Sequence, residues 1–243
     1  MLLTSVLVVG QLTACATSPD STEEKPVRSE SDPWEPMNRV IYRGNRAFDS
    51  VTFKPIAKGY TKLLPTSVRR SITNFSVNLL VPRSAVNNFL QGKVKRGFED
   101  IARFLFNSTI GIGGLFDVAS AGGLEQYNEN FSQTMAVWGV PEGPYLVLPF
   151  LGPNSLLDAV MLPFDIRFDP LFHYDNSSVR DKLYLLRVID LRSRLLPAEK
   201  FLEQSKDPYI TLRESYSQIR INNIYDGNPP EDEEMLDDFF DEE

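Results

Sequence analysis

Apolar residues recur along the chain at three- and four-residue spacings, in segments bounded by proline, glycine or capping residues, which is the pattern of amphipathic helices. Asp32-Pro33-Trp34-Glu35 offers an N-cap, a proline at the first helical position and a carboxylate at the third. Met37, Val40, Ile41 and Phe48 follow, and after a break near Lys54-Pro55 the spacing resumes at Ile56, Tyr60, Leu63 and Leu64. Leu64-Pro65-Thr66 closes that segment, and Val68, Ile72, Phe75 and Leu79 predict the next, up to Val81-Pro82. Val86, Leu90, Val94, Ile101 and Leu105 then predict one longer helix, whose other side carries Lys93, Lys95, Arg96, Glu99, Asp100 and Arg103 and reads as a solvent face. Towards the end, Ser178 with Asp181 forms a capping box for a helix through Leu183, Leu186 and Ile189. Residues 197–205 read as a separate short amphipathic piece. Asp207-Pro208 caps a last helix with Tyr209, Leu212, Tyr216 and Ile219 on one side.

Two stretches depart from this pattern by lacking charge. Residues 103–117, RFLFNSTIGIGGLFD, hold no charge between Arg103 and Asp117, and Gly111, Gly113 and Gly114 interrupt their large apolar residues. The thirteen residues from Phe104 to Phe116 are too few to cross a ~30 Å hydrocarbon layer as a helix. A buried core, a re-entrant and an interfacial position therefore all stay open. Residues 131–164 hold only two charges, Glu142 and Asp158, and their five prolines forbid one straight helix. Within them Tyr145-Leu146-Val147-Leu148 reads as a short strand or buried extended piece, and Trp138 and Tyr145 bracket apolar runs as aromatics do at a membrane interface. No run of eighteen apolar residues follows Cys15, so no spanning helix is predicted.

Charge changes the picture by its distribution. The net charge is −8, but residues 231–243 hold nine carboxylates and no base, and residues 16–32 hold five acids against two bases. The body between them is mildly basic, and nothing in it points to nucleic acid. The N-terminus reads as an export signal over residues 1–14 ending in Leu12-Thr13-Ala14-Cys15, which resembles a bacterial lipobox with Cys15 as the lipidated residue, although no basic residue precedes it. Ala16 after the cysteine matches lipoproteins sorted to the outer membrane. Residues 15–31 form a polar tether, residues 32–226 the folded domain, and residues 227–243 an acidic disordered tail.

Catalytic chemistry is hard to place. A single cysteine excludes a disulfide framework or thiolate zinc cluster, and the lone His173 weakens histidine-based mechanisms. Gly111-Ile112-Gly113-Gly114 has neither phosphate-loop spacing, and no nucleophile elbow or H-E-x-x-H occurs. Asp117, Asp158, Asp165 and Asp169 read as caps and turns. No enzyme activity, cofactor or metal is expected.

Several motifs in the same order, Asp32-Pro33-Trp34-Glu35-Pro36-Met37-Asn38-Arg39, Asn87-Asn88-Phe89-Leu90-Gln91-Gly92, the run from Arg103 through Gly114, Trp138-Gly139-Val140-Pro141-Glu142-Gly143-Pro144-Tyr145 and Asp207-Pro208-Tyr209, together resemble the VacJ/MlaA family of outer-membrane lipoproteins. The resemblance implies a mainly α fold: a single helical ring-shaped domain lying in one membrane leaflet with a central amphipathic channel. It implies a lipid-anchored protein in the inner leaflet of a Gram-negative outer membrane, facing the periplasm. Such proteins extract mislocalised phospholipid from the outer leaflet and hand it to a periplasmic lipid-carrier protein, in complex with a trimeric porin, preserving lipid asymmetry. On this basis Phe104, Phe106, Ile110, Gly111, Ile112, Gly113, Gly114, Leu115, Phe116, Trp138 and Tyr145 are the expected lipid-path or membrane contacts, with the glycines supplying mobility. The alternatives are a non-transporting scaffold that binds porins, its apolar stretches forming an ordinary core, and a phospholipid hydrolase with an unrecognised site.

Overall fold

Glu35 opens the first helix of the computed structural model, which describes residues 32–229. The leader, Cys15, the tether up to residue 31 and the tail from residue 230 lie outside the described residues. Ten α-helices follow in order among them: α1 (Glu35–Val51), α2 (Phe53–Leu63), α3 (Thr66–Asn78), α4 (Val81–Leu90), α5 (Val94–Thr109), α6 (Val118–Ala121), α7 (Phe131–Val137), α8 (Leu156–Arg167), α9 (Ser177–Gln204) and α10 (Pro208–Ile224). Between α7 and α8 a two-stranded hairpin, β1 (Tyr145–Leu148) and β2 (Gly152–Ser155), pairs antiparallel with Tyr145 opposite Ser155 and Leu148 opposite Gly152. The fold is mainly α, and of the two readings of 145–148 the short strand is the one present. No described helix is long and apolar enough to cross a membrane.

Several boundaries differ from the sequence reading for identifiable reasons. The break after α1 falls at Thr52, ahead of Lys54-Pro55, because Pro55 fits the first turn of α2, where its missing N–H is not needed. The single long helix expected through Val86 and Leu105 is two. Gly92 takes φ +75°, Gly92 N–H donates to Phe89 O at 3.0 Å and Lys93 N–H to Asn88 O at 2.8 Å, a paired-bond helix ending that turns the chain back. α4 and α5 thus pack as an antiparallel hairpin. Asn176, not Ser178, caps α9, and that helix continues through Pro197, absorbing the piece expected at 197–205. Asp207 caps α10 as expected, accepting from the N–H groups of Tyr209 and Ile210.

Asp32 does not cap α1. Its carboxylate is fully buried and accepts from Asn38 Nδ2 at 2.8 Å and the Tyr209 hydroxyl at 2.5 Å. Asn38 in turn donates to Tyr145 O at 3.0 Å and accepts from Val147 N–H at 2.9 Å, serving β1 as a substitute strand neighbour. The first, fourth and fifth motifs therefore meet at one place. Around it Tyr145, Val147 and Tyr209 form a small apolar core against Ile41, Tyr42, Ile210 and Tyr216, with edge-to-face ring pairs 5.7 to 6.3 Å apart.

Candidate functional site

The amphipathic faces point the opposite way from those of a water-soluble bundle. Among the described residues twenty buried side chains are polar or charged and eleven are apolar, while thirty-nine large apolar residues are exposed. α5 shows why. Of the face expected to meet solvent, Asp100 and Arg103 lie inside the protein with Asn107 one turn on, whereas Phe98, Ile101 and Leu105 point outward. α1 repeats the arrangement with Asn38 buried and Met37, Val40 and Phe48 exposed.

The two charges that bound the uncharged stretch bind each other. Arg103 Nη2 donates to both oxygens of Asp117 at 3.0 and 3.1 Å, and Nη1 donates to Ser120 Oγ and Leu124 O. Asn107 joins by donating to Asp117 and accepting from Ala119 N–H. Burial works to raise the Asp117 carboxyl, but hydrogen bonds from Ser120 and Asn107 and the Arg103 charge hold it below the usual carboxylate range. The clamp closes the base of a loop whose tip is apolar and open: Ile110 is 67% and Ile112 64% exposed, with Phe106, Leu115 and Phe116 also exposed. Phe104 is half-buried and lines a groove of about 230 Å³ between α4 and α5, floored by Ala85 and Asp100.

The glycines of this loop have a geometric reason to be there. A Cβ on Gly111 would lie 2.2 Å from Phe116 O, and one on Gly114, at φ +88°, 2.7 Å from Asn78. Gly113, at φ +67°, faces open space. Of the other expected contacts, Trp138 is exposed and donates its indole N–H to Leu90 O at 3.1 Å, at the α4–α5 turn. That is the far end of α5 from the loop tip, roughly 24 Å away at 1.5 Å per residue. Tyr145 is only 5% exposed, inside the aromatic core, so its ring meets protein and not an apolar exterior.

A second feature was not visible in the sequence. α1, α9, α10 and the hairpin tip line a cavity of about 560 Å³, broadly open on one side, whose walls include Phe48, Phe150, Leu191, Leu195, Leu212 and Ile219. Its rim is charged by Arg46, Asp49, Arg192 and Glu199. Arg192 holds both oxygens of Asp49 at 2.8 and 2.7 Å and Glu199 at 2.5 Å, and Lys54 holds Glu199 at 2.8 Å. Burial works against the charge on Glu199, but these two cations keep it below the usual range. The arrangement offers an apolar volume of ligand size with ionic groups at one edge.

The interior itself is stapled by charge. Arg220 pairs with Asp158 and Glu142, Arg83 approaches Asp165, and Arg187 pairs with Asp169. Ser132 and the Tyr216 hydroxyl also donate to Asp158. Burial pushes Asp165 up and Arg83 down, each toward its neutral form. These pairs link α4, α7, α8, α9 and α10, so Asp158, Asp165 and Asp169 are interior ion-pair partners, while the caps expected at Asp117 and Asp169 are present, on α6 and on the turn at Pro170–His173. Their cationic partners lie up to 82 residues away in sequence, and no local pattern pairs them. No cluster of acidic, histidine or cysteine ligands suited to a metal occurs among the described residues.

The comparisons agree with this architecture. A family model described as MlaA lipoprotein matches residues 30–223. The Haemophilus influenzae protein called intermembrane phospholipid transport system lipoprotein MlaA is 32% identical over 98% of this chain and 95% of its own length. Its Escherichia coli namesake is 34% identical over 88% and 85%. A solved structure reported under the heading "Structural basis for maintenance of bacterial outer membrane lipid asymmetry" superposes with a TM-score of 0.71 at 33% identity, covering 82% of this chain and all of that one.

Proposed function

Because the chain belongs to the MlaA lipoprotein family, we propose that it is an outer-membrane lipoprotein of phospholipid transport. It takes mislocalised phospholipid from the outer leaflet and passes it to a periplasmic carrier protein. The observation that carries this reading is the inverted distribution of side chains, with exposed apolar residues outside and paired charges within. Each large apolar residue favours a hydrocarbon surrounding over water by roughly 1.5–3 kcal/mol, so such an exterior suits a bilayer leaflet. Charged interior groups in the same setting need partners, and the ion pairs supply them.

The finer elements extend the family expectation. The body lies in the inner leaflet, anchored through an acylated Cys15, beside a trimeric porin, and its helices form a ring around an amphipathic channel. The residues 104–116 and Trp138 contact lipid, and the cavity between α1, α9, α10 and the hairpin forms part of the path. A head group crosses hydrocarbon only at large cost without partners. A charged rim beside an apolar wall removes that cost while leaving the acyl chains in apolar surroundings, and no covalent step is needed.

Surface phospholipid in whole cells tests this, using a membrane-impermeant amine reagent to label exposed phosphatidylethanolamine. Cells lacking the protein are expected to label more strongly, and the intact chain to restore the low level. Ala198→Trp, which fills the cavity from an exposed wall position, is expected to fail. Equal labelling with and without the protein would defeat the proposal.

A further inference from the structure

The four charged residues on the cavity rim are not equivalent. Arg192 makes three short bonds to two carboxylates, and removing it would leave Asp49 without its partner and Glu199 with Lys54 alone. Arg46 makes two long hydrogen bonds, each at 3.4 Å, to the Tyr42 hydroxyl and to Glu203, and its guanidinium stands 5.8 Å from the Tyr42 ring centre, at the outer reach of a cation–π contact. Its side chain is 42% exposed and that of Glu203 41%. Lys54 also holds Glu203 at 3.2 Å, so Arg46 can leave without stranding that carboxylate. The backbone that carries Arg46 is nevertheless fixed. The neighbouring Asn45 donates to Leu148 O and accepts from Phe150 N–H, both at 2.9 Å, pinning α1 to the hairpin tip at the cavity mouth.

A guanidinium that is loosely held, mounted on a fixed helix and placed where an apolar cavity meets its ionic rim has the chemistry of a phosphate ligand. Its planar fork matches two phosphate oxygens at once, and a charge-assisted pair at partial burial outweighs the two long contacts it gives up. We propose that Arg46 binds the phosphate of a phospholipid whose acyl chains occupy the cavity between α1, α9, α10 and the hairpin. The inference rests on the transport reading and adds to it the head-group contact. It also assigns a selectivity: the site takes lipids with a phosphate and holds diacylglycerol, which lacks one, less well.

The test uses the purified full-length lipoprotein in detergent, loaded with phosphatidylglycerol or dioleoylglycerol and read by native mass spectrometry. Arg46→Ala is expected to lower phosphatidylglycerol retention about tenfold, the worth of one charge-assisted hydrogen bond, and to leave dioleoylglycerol unchanged. Arg46→Lys should retain an intermediate amount, since it keeps the charge and loses the fork. Ala198→Trp should displace both lipids. Arg46 is partly exposed and forms no buried bond, and a circular dichroism melt at the parental temperature confirms that its variants are folded. Unchanged phosphatidylglycerol retention in Arg46→Ala, with both lipids displaced by Ala198→Trp, would overturn the phosphate contact and leave the cavity as a lipid site. Full retention of both lipids in Ala198→Trp would overturn the cavity assignment as well.

Discussion

Arg103 and Asp117 stand fourteen residues apart and meet at 3.0 Å, and the interior Asp100 sits on the same helix as Arg103. The two carboxylates respond to pH in opposite senses. Asp117 is held below its ordinary range, so its contribution is full above the unfolded value near 4 and is lost only as pH falls through its lower folded value. Arg103→Ala is expected to cost about 3 kcal/mol at neutral pH, the low end for a broken buried pair because Asp117 keeps some contact with solvent. Chemical denaturation in detergent measures it, and a loss below about 0.5 kcal/mol would mean that the clamp does not hold the loop. Asp100 is pushed up to about 6 by burial, against hydrogen bonds from Ser84 and Asn88. Its folded form binds a proton more readily than the unfolded chain, so stability falls as pH rises from about 4 to about 6 and stays lower above. Asp100→Asn is expected to remove that slope and to be at least as stable as the parent at pH 8. Equal destabilisation at pH 5 and pH 8 would refute the assignment.

At the scale of elements, the loop after α5 separates two roles for glycine. Gly113 and Gly114 both have positive φ, yet only Gly114 faces a neighbour, Asn78. Gly113→Ala should therefore cost roughly 1 kcal/mol from the left-handed backbone alone, and Gly114→Ala clearly more. Thermal unfolding of the two variants decides. Equal losses would show that packing against Asn78 is unimportant and would return these glycines to the mobility expected of them. Helix periodicity, the strand at 145–148 and the cap at Asp207 were legible in the sequence because each is a local pattern. The turn at Gly92 was not, because the apolar spacing runs unbroken from Val86 to Leu105 while the chain reverses beneath it. The inward face of α5 was misassigned for a deeper reason. A period of 3.6 identifies two faces but does not say which of them meets the surroundings; that depends on whether the solvent is water or lipid. The cavity was illegible for another reason, since it joins residues from α1, α9, α10 and the hairpin that only the tertiary fold brings together.

At the scale of the molecule, the described residues form a polar interior stapled by ion pairs and an outer surface rich in large apolar side chains, and this is the ground for the proposal that the protein sits in a membrane and moves phospholipid. A scaffold with an ordinary core would instead bury the residues at 104–116, where Ile110, Ile112 and Phe116 are exposed. The most direct test places a photoreactive amino acid at Leu195 in the cavity, at Ile112 on the loop tip and at Lys200 on the exposed polar side of α9, followed by irradiation of living cells. The account predicts phospholipid adducts at Leu195 and Ile112 and none at Lys200. Absence of phospholipid at Leu195, with or without adducts at Ile112, would contradict it.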